Sequence, residues 1–505
     1  MVKASAWTVV LGLCFAATPA RAESPFPGLG ILDAVRIALD KNPTLASGRE
    51  AVSSAEGAAT AAGAEFDTQL DAALGHARET TAPFVGAPAQ ETRVTTLRIG
   101  AIKRFRFGTA LVPSIQLQRV DVSSGGQRVF GPQNTGRVVF EVDQPMLRGL
   151  GSAAHATEDA AGFLYSAAVA EFQHALMERV LFVARSYWAY AAAQRSLESA
   201  TASEARFEGL LENIGALVTA DQRGPGDLEQ VEASLADRRR ARVEADRAAQ
   251  EARTELGLEM GLSGPEIDAL SPPVTALPEL VALSAAPEAS AELARARRRD
   301  LRALESRLEA ATHLVRAADD QLWPQLDLIG TIGWTGLNER GAFGDLVVAV
   351  GGEIPGVNVS VAVRFFWPVE QSGANGRLAQ AVAAQRQAII ARDSGLREVE
   401  ARAIVASRSL SRSIEAAALA TKASIHHRKT VENERSKLEV GLSTLVDVIT
   451  TESLLSAAES NEIRSQAELA SSIATLRFAT GTLASIEETR GYVDLDALLT
   501  PPGDL

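Results

Sequence analysis

The chain has 505 residues, with 50 Lys+Arg, 63 Asp+Glu and one cysteine, and only 5% aromatic against 46% hydrophobic residues. A formal charge of −13 excludes nucleic acid as the main partner, because phosphate binding needs a basic patch. The single cysteine excludes a disulfide scaffold and any cysteine-based metal site.

Residues 1–22 read as a secretory signal peptide. Lys3 supplies a positive n-region, Ala4 to Thr18 an apolar stretch, and Pro19-Ala20-Arg21-Ala22 a small-residue cleavage site before Glu23. Cys14 follows Leu13 inside the apolar stretch, where a lipoprotein signal would need a small residue, so the exported chain is expected to be thiol-free and acidic. That suits the periplasm or outer membrane of a Gram-negative bacterium. Beyond this segment no apolar run reaches the roughly 18–20 residues of a membrane-spanning helix. Helical membrane proteins are thereby excluded; β-barrels, whose strands never show as long apolar runs, are not.

An Ala/Leu-rich opening helix ends near Asn42-Pro43, and prolines and glycines then crowd into 66–145. There the period is two. Leu97, Ile99, Ala101, Phe105 and Phe107 alternate with Arg98, Gly100, Ile102, Arg104 and Arg106, while Leu111, Ile115 and Leu117 alternate with Ser114, Gln116 and Gln118. Strands with one apolar and one polar face are predicted. From Pro145 to Pro225 there is no proline, and Leu164, Ala168, Phe172, Leu176, Val180 and Val183 recur at steps of four and three. A helix over 152–217 would be roughly 100 Å long, a length that points to coiled coil. The period of two returns at 323–368, where Val357, Val359, Val361, Val363, Phe365 and Trp367 share one face. A second proline-free tract follows, with Leu378, Val382, Ile389, Leu396 and Val399 at helical and heptad spacings. Trp334 and Trp367 are placed at strand ends, where interfacial aromatics of a membrane barrel belong; ordinary packing is the other reading of each.

The chain repeats itself. Gln69-Leu70-Asp71 recurs as Gln325-Leu326-Asp327, and Asp227, Glu232, Leu235, Leu256 and Gly261 recur in one fixed frame as Asp447, Glu452, Leu455, Leu476 and Gly481. Two copies of helix, strands, very long helix, tip and returning helix are expected. The first spans 23–275, with strands in 66–145 and a helical hairpin over 151–262. The second spans 285–485, with strands in 325–367 and a hairpin over 375–482, and 486–505 form a C-terminal tail. The first copy carries extra residues around Lys103 to Thr109, which either add strands or lengthen one hairpin.

Gln144-Pro145-Met146-Leu147-Arg148-Gly149-Leu150-Gly151 resembles the strand-to-helix junction of the outer-membrane efflux protein family. Val440-Gly441-Leu442-Ser443-Thr444-Leu445-Val446-Asp447-Val448 is similar to that family's second periplasmic tip, and Asn42-Pro43 and Gly481-Thr482-Leu483 also match. The resemblance covers nearly the whole chain after residue 22. It implies an α+β membrane protein: a homotrimer whose protomers share one outer-membrane β-barrel, continued by an α-helical coiled-coil tunnel in the periplasm. The implied function is the outer-membrane channel of a tripartite efflux or type I secretion system. It would pass substrates from a periplasmic adaptor protein and an inner-membrane transporter, of the RND or ABC class, to the exterior. A periplasmic adaptor or scaffold with coiled-coil hairpins is the alternative, but it predicts one hairpin and a lipoyl-like region where this chain has two hairpins and membrane-type strands.

No catalytic constellation is present. Histidines 76, 155, 174, 313, 426 and 427 form no pair of metal spacing, and His426-His427 face different directions on a helix. No G-x-S-x-G, Walker or G-x-G-x-x-G motif occurs. The chain is therefore expected to be no enzyme and to need no cofactor or metal. Asp319-Asp320 reads as a solvated helix end. Asp227 and Asp447 have two readings that can hold together: caps for helix N-termini, or, in three copies around an axis, a cation-attracting channel entrance. The resemblance further implies that Val440, Gly441, Leu442 and Ser443 dock the adaptor. In the family the first tip's Asp helps hold the entrance shut through Arg and Tyr on the second tip; here Ser443 and Leu438 occupy those positions, so that lock is absent or remade.

Overall fold

The computed structural model describes residues 28–82, 84–278, 286–339, 344–354, 356–487 and 490–502. The expected signal peptide, with Cys14, lies outside them. Helices α1 (Ile31–Lys41) and α2 (Pro43–Gly63) lead into strands β1 (Gln69–Thr81), β2 (Gln90–Arg104), β3 (Ala110–Ser124) and β4 (Gln127–Pro145). A hairpin of α3 (Ala156–Thr219) and α4 (Pro225–Met260) follows, then the short α5 (Gly264–Asp268). The order recurs with α6 (Pro287–Arg297), α7 (Arg299–Asp320), β5 (Gln325–Asn338), the helical turn α8 (Asp345–Val348), β6 (Val357–Phe366), α9 (Ser372–Glu439) and α10 (Leu445–Ala479). The residues read as a tail form β7 (Ser485–Glu487), β8 (Arg490–Tyr492) and α11 (Leu495–Leu499), with Leu498 buried in the core.

Proline sets the helix starts. Pro43 and Pro225 each stand in the first turn, where the missing N–H is an orphan donor anyway. Asn42 caps α2: its side chain accepts the Thr44 N–H at 2.9 Å and donates to the Glu259 carbonyl at 2.9 Å. With no proline inside them, α3 and α9 run uninterrupted for 64 and 68 residues, about 100 Å each at about 1.5 Å per residue.

Strands β1 to β6 form one antiparallel sheet in the order β1-β2-β3-β4-β5-β6, and β7 pairs with β8 apart from it. Residues directly opposite one another share a face, and the register lines up Ala72, Ile99, Ile115, Val138, Trp334 and Val357 in a single apolar row across all six strands. The next row on the opposite face reads Ala73, Arg98, Gln116, Arg137 and Thr335. Farther from the helices the apolar face turns polar, at His76, Thr95, Arg119, Asn134 and Asn338. The sheet therefore carries an apolar band of limited height on one face only.

Two local expectations are corrected. Phe105 and Phe107 were expected on a strand, but β2 ends at Arg104 and the two rings stack in the following turn with centroids 5.4 Å apart. Trp334 does not end its strand. It lies inside β5, and its indole N–H donates to the Val350 carbonyl at 3.1 Å, because the β5–β6 connection folds back over the apolar face. Leu346 and Ala349 of that connection are buried there, as are Leu117 and Val138 beneath it.

The principal core sits where α1 packs on the middle of α3 and the C-terminal end of α4, next to the C-terminal part of α10. Tyr187 and Trp188 meet edge to face at 5.1 Å, fully buried among Ile31, Val35, Leu256, Met260 and Leu498. The Tyr187 hydroxyl donates to the Leu29 carbonyl at 2.9 Å and accepts the Thr275 N–H at 3.0 Å. The second repeat has its own core of Leu301, Val399, Ala403, Leu410, Ile473 and Leu476. Phe172, Leu176, Val180 and Val183 of the predicted stripe are buried, whereas Leu164 remains 47% exposed.

Both returning helices end alike. Gly261 and Gly481 have φ of +77° and +71°, and a Cβ at either would stand 2.9 Å from the Lys41 carbonyl oxygen or 3.1 Å from that of Arg297. Gly481→Ala should therefore cost about 1–3 kcal/mol from the positive φ, with the backbone contact adding to it. The expected outcome is a lower temperature of tertiary unfolding by near-UV circular dichroism, with far-UV helicity at 25 °C retained.

Candidate functional site

The two helical tips are built on one plan with different residues. At the second, the Leu442 N–H reaches back to the Lys437 carbonyl at 2.8 Å and the Gly441 N–H to that of Leu438 at 3.1 Å. This is a Schellman closure, and it needs the left-handed φ of +76° that Gly441 adopts. At the first, the Gln222 N–H bonds the Leu217 carbonyl at 2.9 Å and the Asp221 N–H that of Val218 at 3.1 Å. Here Asp221, not glycine, holds φ at +54°.

The helices leaving the tips differ too. Thr444 and Asp447 form a capping box on α10: the Asp447 carboxylate accepts the Thr444 hydroxyl at 2.6 Å and N–H at 3.1 Å, and the Asp447 N–H donates back to the hydroxyl at 3.2 Å. These bonds from Thr444 hold the Asp447 carboxyl below the usual carboxylate range, with the Lys437 charge adding to them. A depressed folded-state pKa means this cap is complete at neutral pH and is lost as pH falls through that pKa. Asp227 also lies in a first turn, but Gly224 supplies no side-chain cap, and Asp227 pairs with Arg223 at 3.3 Å. The two acids thus sit at the same end of the molecule, each bound within its own hairpin.

Val440 and Leu442 are 69% and 79% exposed, so the second tip presents two unpartnered apolar side chains flanking Gly441. Ser443 is turned inward: its hydroxyl donates to Glu434 at 2.7 Å. Lys437 bonds the other oxygen of that carboxylate, and it first, then Ser443, pulls the Glu434 pKa down. Just behind the tips the hairpins meet through an apolar cluster of Ile214, Val231 and Leu445, flanked by Leu217, Val218 and Ile449.

In the sequence Glu452 stands out only as a marker of the repeat. In the structure it is fully buried, with Arg206 of α3 at 3.1 Å and Arg435 of α9 at 2.5 Å. Arg238 of α4 lies over the Phe207 ring at 4.8 Å and donates to Ser453 at 2.5 Å, and Glu459 bonds Ser199 at 2.9 Å and Arg428 at 3.2 Å. All four long helices are joined at this level. A charged residue amid the Leu and Ala of α10 was the available signal; its partners lie more than two hundred residues away for Arg206 and on the preceding helix for Arg435.

The Gln144–Gly151 junction joins the repeats at the base of the sheet. Arg148 donates to Gln325 at 2.9 Å, the Met146 N–H to the Leu326 carbonyl at 2.7 Å, and the Gly149 N–H to Asp320 at 2.8 Å. Asp320 is thereby a structural acceptor, where a solvated helix end was expected. His426 and His427 lie on the long α9, and no group of three His, Cys, Asp or Glu suited to a metal ion occurs among the described residues.

Two outcomes test this geometry. Glu452→Ala strands Arg435 and leaves Arg206 only its longer contact with Glu459 at 3.8 Å; because the arginines are 24% and 39% exposed, the expected loss is about 1–3 kcal/mol rather than the larger cost of full burial. Heat resistance should fall while Glu452→Gln retains part of it. Asp221→Gly relieves the left-handed strain and should slow hydrogen exchange of the 217–228 amides by about threefold to tenfold, on the order of 1 kcal/mol.

Residues 291–482, from α6 to the end of the second hairpin, match the family model described as outer membrane efflux protein. No curated protein matches the chain by sequence. The outer-membrane channel OprN is similar in structure, with a TM-score of 0.65 at 18% identity over 89% of this chain and 89% of its own. VceC of Vibrio cholerae gives 0.64 at 17% identity over 89% and 96%, and the open state of MtrE of Neisseria gonorrhoeae 0.64 at 18% over 89% and 88%. At such identities the likeness is one of fold. The second repeat matches the outer membrane efflux protein family, and about nine-tenths of the chain has the fold of outer-membrane channels, in agreement with the resemblance carried by Gln144–Gly151 and Val440–Val448.

Proposed function

We propose that this protein is the outer-membrane channel of a tripartite export assembly, a homotrimer that passes substrates from a periplasmic adaptor and an inner-membrane transporter to the exterior. One observation carries the reading: a one-sided apolar sheet is joined end to end with helical hairpins about 100 Å long. The apolar face meets outer-membrane lipid outside the patch around Leu117, Val138 and Trp334 that the 344–354 connection covers, the polar face lines a lumen, and the helices extend the lumen through the periplasm. A single protomer leaves β1 and β6 as open edges, which hydrocarbon does not tolerate. Three copies close the ring. Protein extracted in detergent should sediment as three chains and form pores in planar bilayers; a detergent-free soluble monomer overturns the reading.

The second tip is the adaptor-docking surface. Its exposed Val440 and Leu442 supply apolar contact, Ser443 shapes the turn behind them, and Gly441 lets a partner backbone approach. Because any side chain at Gly441 is strained by its φ, Leu442→Asp is the cleaner probe. It should reduce adaptor binding at least tenfold in surface-immobilised assays and leave trimer assembly unchanged.

Asp447 and Asp227 surround the channel entrance in three copies each and favour cations there. Exposed charges act over about 8–10 Å near physiological salt, so the effect requires a narrow opening. Asp447→Asn keeps the shape and part of the cap while removing charge. Cation preference in single-channel recordings should fall, most clearly at low salt. Unchanged selectivity with normal assembly would reduce Asp447 to its capping role.

A further inference from the structure

We propose that the barrel is built from 18 strands, six from each of three copies, and that its outer-membrane section is correspondingly wide enough for bulky cargo. The inference rests on the trimeric reading above and concerns what the first repeat adds to it. The second repeat contributes two strands, β5 and β6. Gln69-Leu70-Asp71 at the start of β1 matches Gln325-Leu326-Asp327 at the start of β5, and Pro145 at the end of β4 matches Pro368 just beyond β6. By this alignment β1 and β4 are the counterparts of β5 and β6, and the β2–β3 hairpin is the insertion. Two strands per repeat would give a trimer 12 strands; the insertion adds two per protomer.

Three observations put the inserted hairpin in the barrel wall. First, it is paired along its length on both sides, β2 to β1 from Gln69↔Ile102 to Thr81↔Gln90 and β3 to β4 from Ala110↔Asp143 to Ser124↔Gln127. Second, it carries the apolar band without a break: Leu97 and Ile99 pair with Leu117 and Ile115, in line with Leu74 and Ala72 on one side and Val138 on the other. Leu117 and Val138 of this band lie beneath the 344–354 connection, but Leu74, Ile99 and Ile115 are 71%, 48% and 40% exposed, and a hairpin projecting into water has no need of such a row in register with its neighbours. Third, its turn is fastened to the helical layer at the level where β1 begins and β4 ends. Lys103 donates to the Phe66 carbonyl at 2.7 Å, Arg104 pairs with Glu65 at 2.9 Å, and Arg106 grips Glu158 through two bonds of 2.6 and 2.7 Å. The hairpin spans the sheet from that base upward.

Closure follows from the edges. β1 runs away from the helices and β6 toward them, so β6 of one copy beside β1 of the next continues the antiparallel alternation and leaves an even count. At about 4.8 Å between strands and a tilt of about 40°, 18 strands enclose a backbone diameter of about 36 Å against about 24 Å for 12. After side chains are subtracted, a lumen of roughly 25 Å passes a solute bulkier than a single polypeptide helix of about 10–12 Å. Selection of cargo by size then falls to the helical entrance, not to the membrane section.

Cross-sections of the native trimer in lipid nanodiscs by electron cryomicroscopy decide the matter directly, with 18 strands expected. As a second measure, Ala72→Cys on β1 is combined in turn with Val357→Cys, Val359→Cys, Val361→Cys or Val363→Cys on β6; Cys14 is the chain's only other thiol and is replaced by Ser. Oxidation should link neighbouring chains at one of these registers. Trimers showing 12 strands, with 90–124 outside the wall, overturn this inference and leave the proposed function standing. Failure to form trimers or pores overturns the proposed function itself.

Discussion

The unpaired edges of β1 and β6 are the constraint on which everything else turns. A sheet with one apolar face can sit in hydrocarbon only if every backbone N–H and C=O is paired within protein. Six strands of 10 to 19 residues leave two edges unsatisfied in a single chain. The helical part faces the matching problem in milder form. Its long helices are exposed on surfaces such as Val405 at 64% and Leu419 at 62%, far more apolar exposure than isolated coiled helices need. In the proposed trimer, one neighbouring copy would cover both the sheet edge and the helix face, so assembly in the membrane and assembly of the tunnel would be one event.

Within a protomer the helices are held by two chemistries at different heights. The waist around Tyr187 and Trp188 is apolar and densely packed, where burial supplies stability without direction. Nearer the tips the helices are joined by Glu452 with its arginines. A buried ion pair contributes little net stability, because desolvating both charges offsets most of their attraction. What it fixes is register: a shift of α10 by one turn would move Glu452 by about 5.4 Å, out of reach of its present partners Arg206 and Arg435. In helices where Ala recurs at many positions, apolar packing alone distinguishes neighbouring registers poorly. The charged layer and the Leu445–Ile214 contact behind the tips together hold the two hairpins level.

Much of this architecture was legible in the residues. Proline-free tracts of good helix formers gave the long helices to within a few residues, and the period of two gave the strands, because both signals are local. The insertion's fate was not legible, since alternation predicts a strand but not its neighbours. Trp334 shows the same limit. Its strand was foreseen, but the cover supplied by Leu346 to Val350 comes from a connection that folds back over the sheet, and no local pattern encodes that. Asp320 reads as solvated because its partner, the Gly149 N–H, lies 171 residues earlier. For the tips, Gly441 announced a turn and Asp447 a cap, but Thr444 as the other half of that cap was not read, and Asp221 in a left-handed conformation gave no warning, aspartate being common in ordinary turns.

Duplication leaves the two tips with the same hydrogen-bonded closure and unequal means of holding it. The second has glycine where φ is positive and a reciprocal cap on the helix that follows. The first places an aspartate at the strained position and begins its returning helix from Gly224 without a side-chain cap, relying on a single half-buried Arg223–Asp227 pair. Strain at Asp221 and the missing cap each cost on the order of 1 kcal/mol locally, and a single surface ion pair returns less than that. The first tip is accordingly the weaker of the two against local opening, which draws on the least stable parts of a structure. The second is the rigid one, and it is also the tip that exposes Val440 and Leu442. A docking surface gains from rigidity because little ordering entropy is lost on binding, and an entrance gains from one partner that yields easily. On the proposed reading, the residues that diverged between the copies would separate these two demands, while the backbone closure is shared.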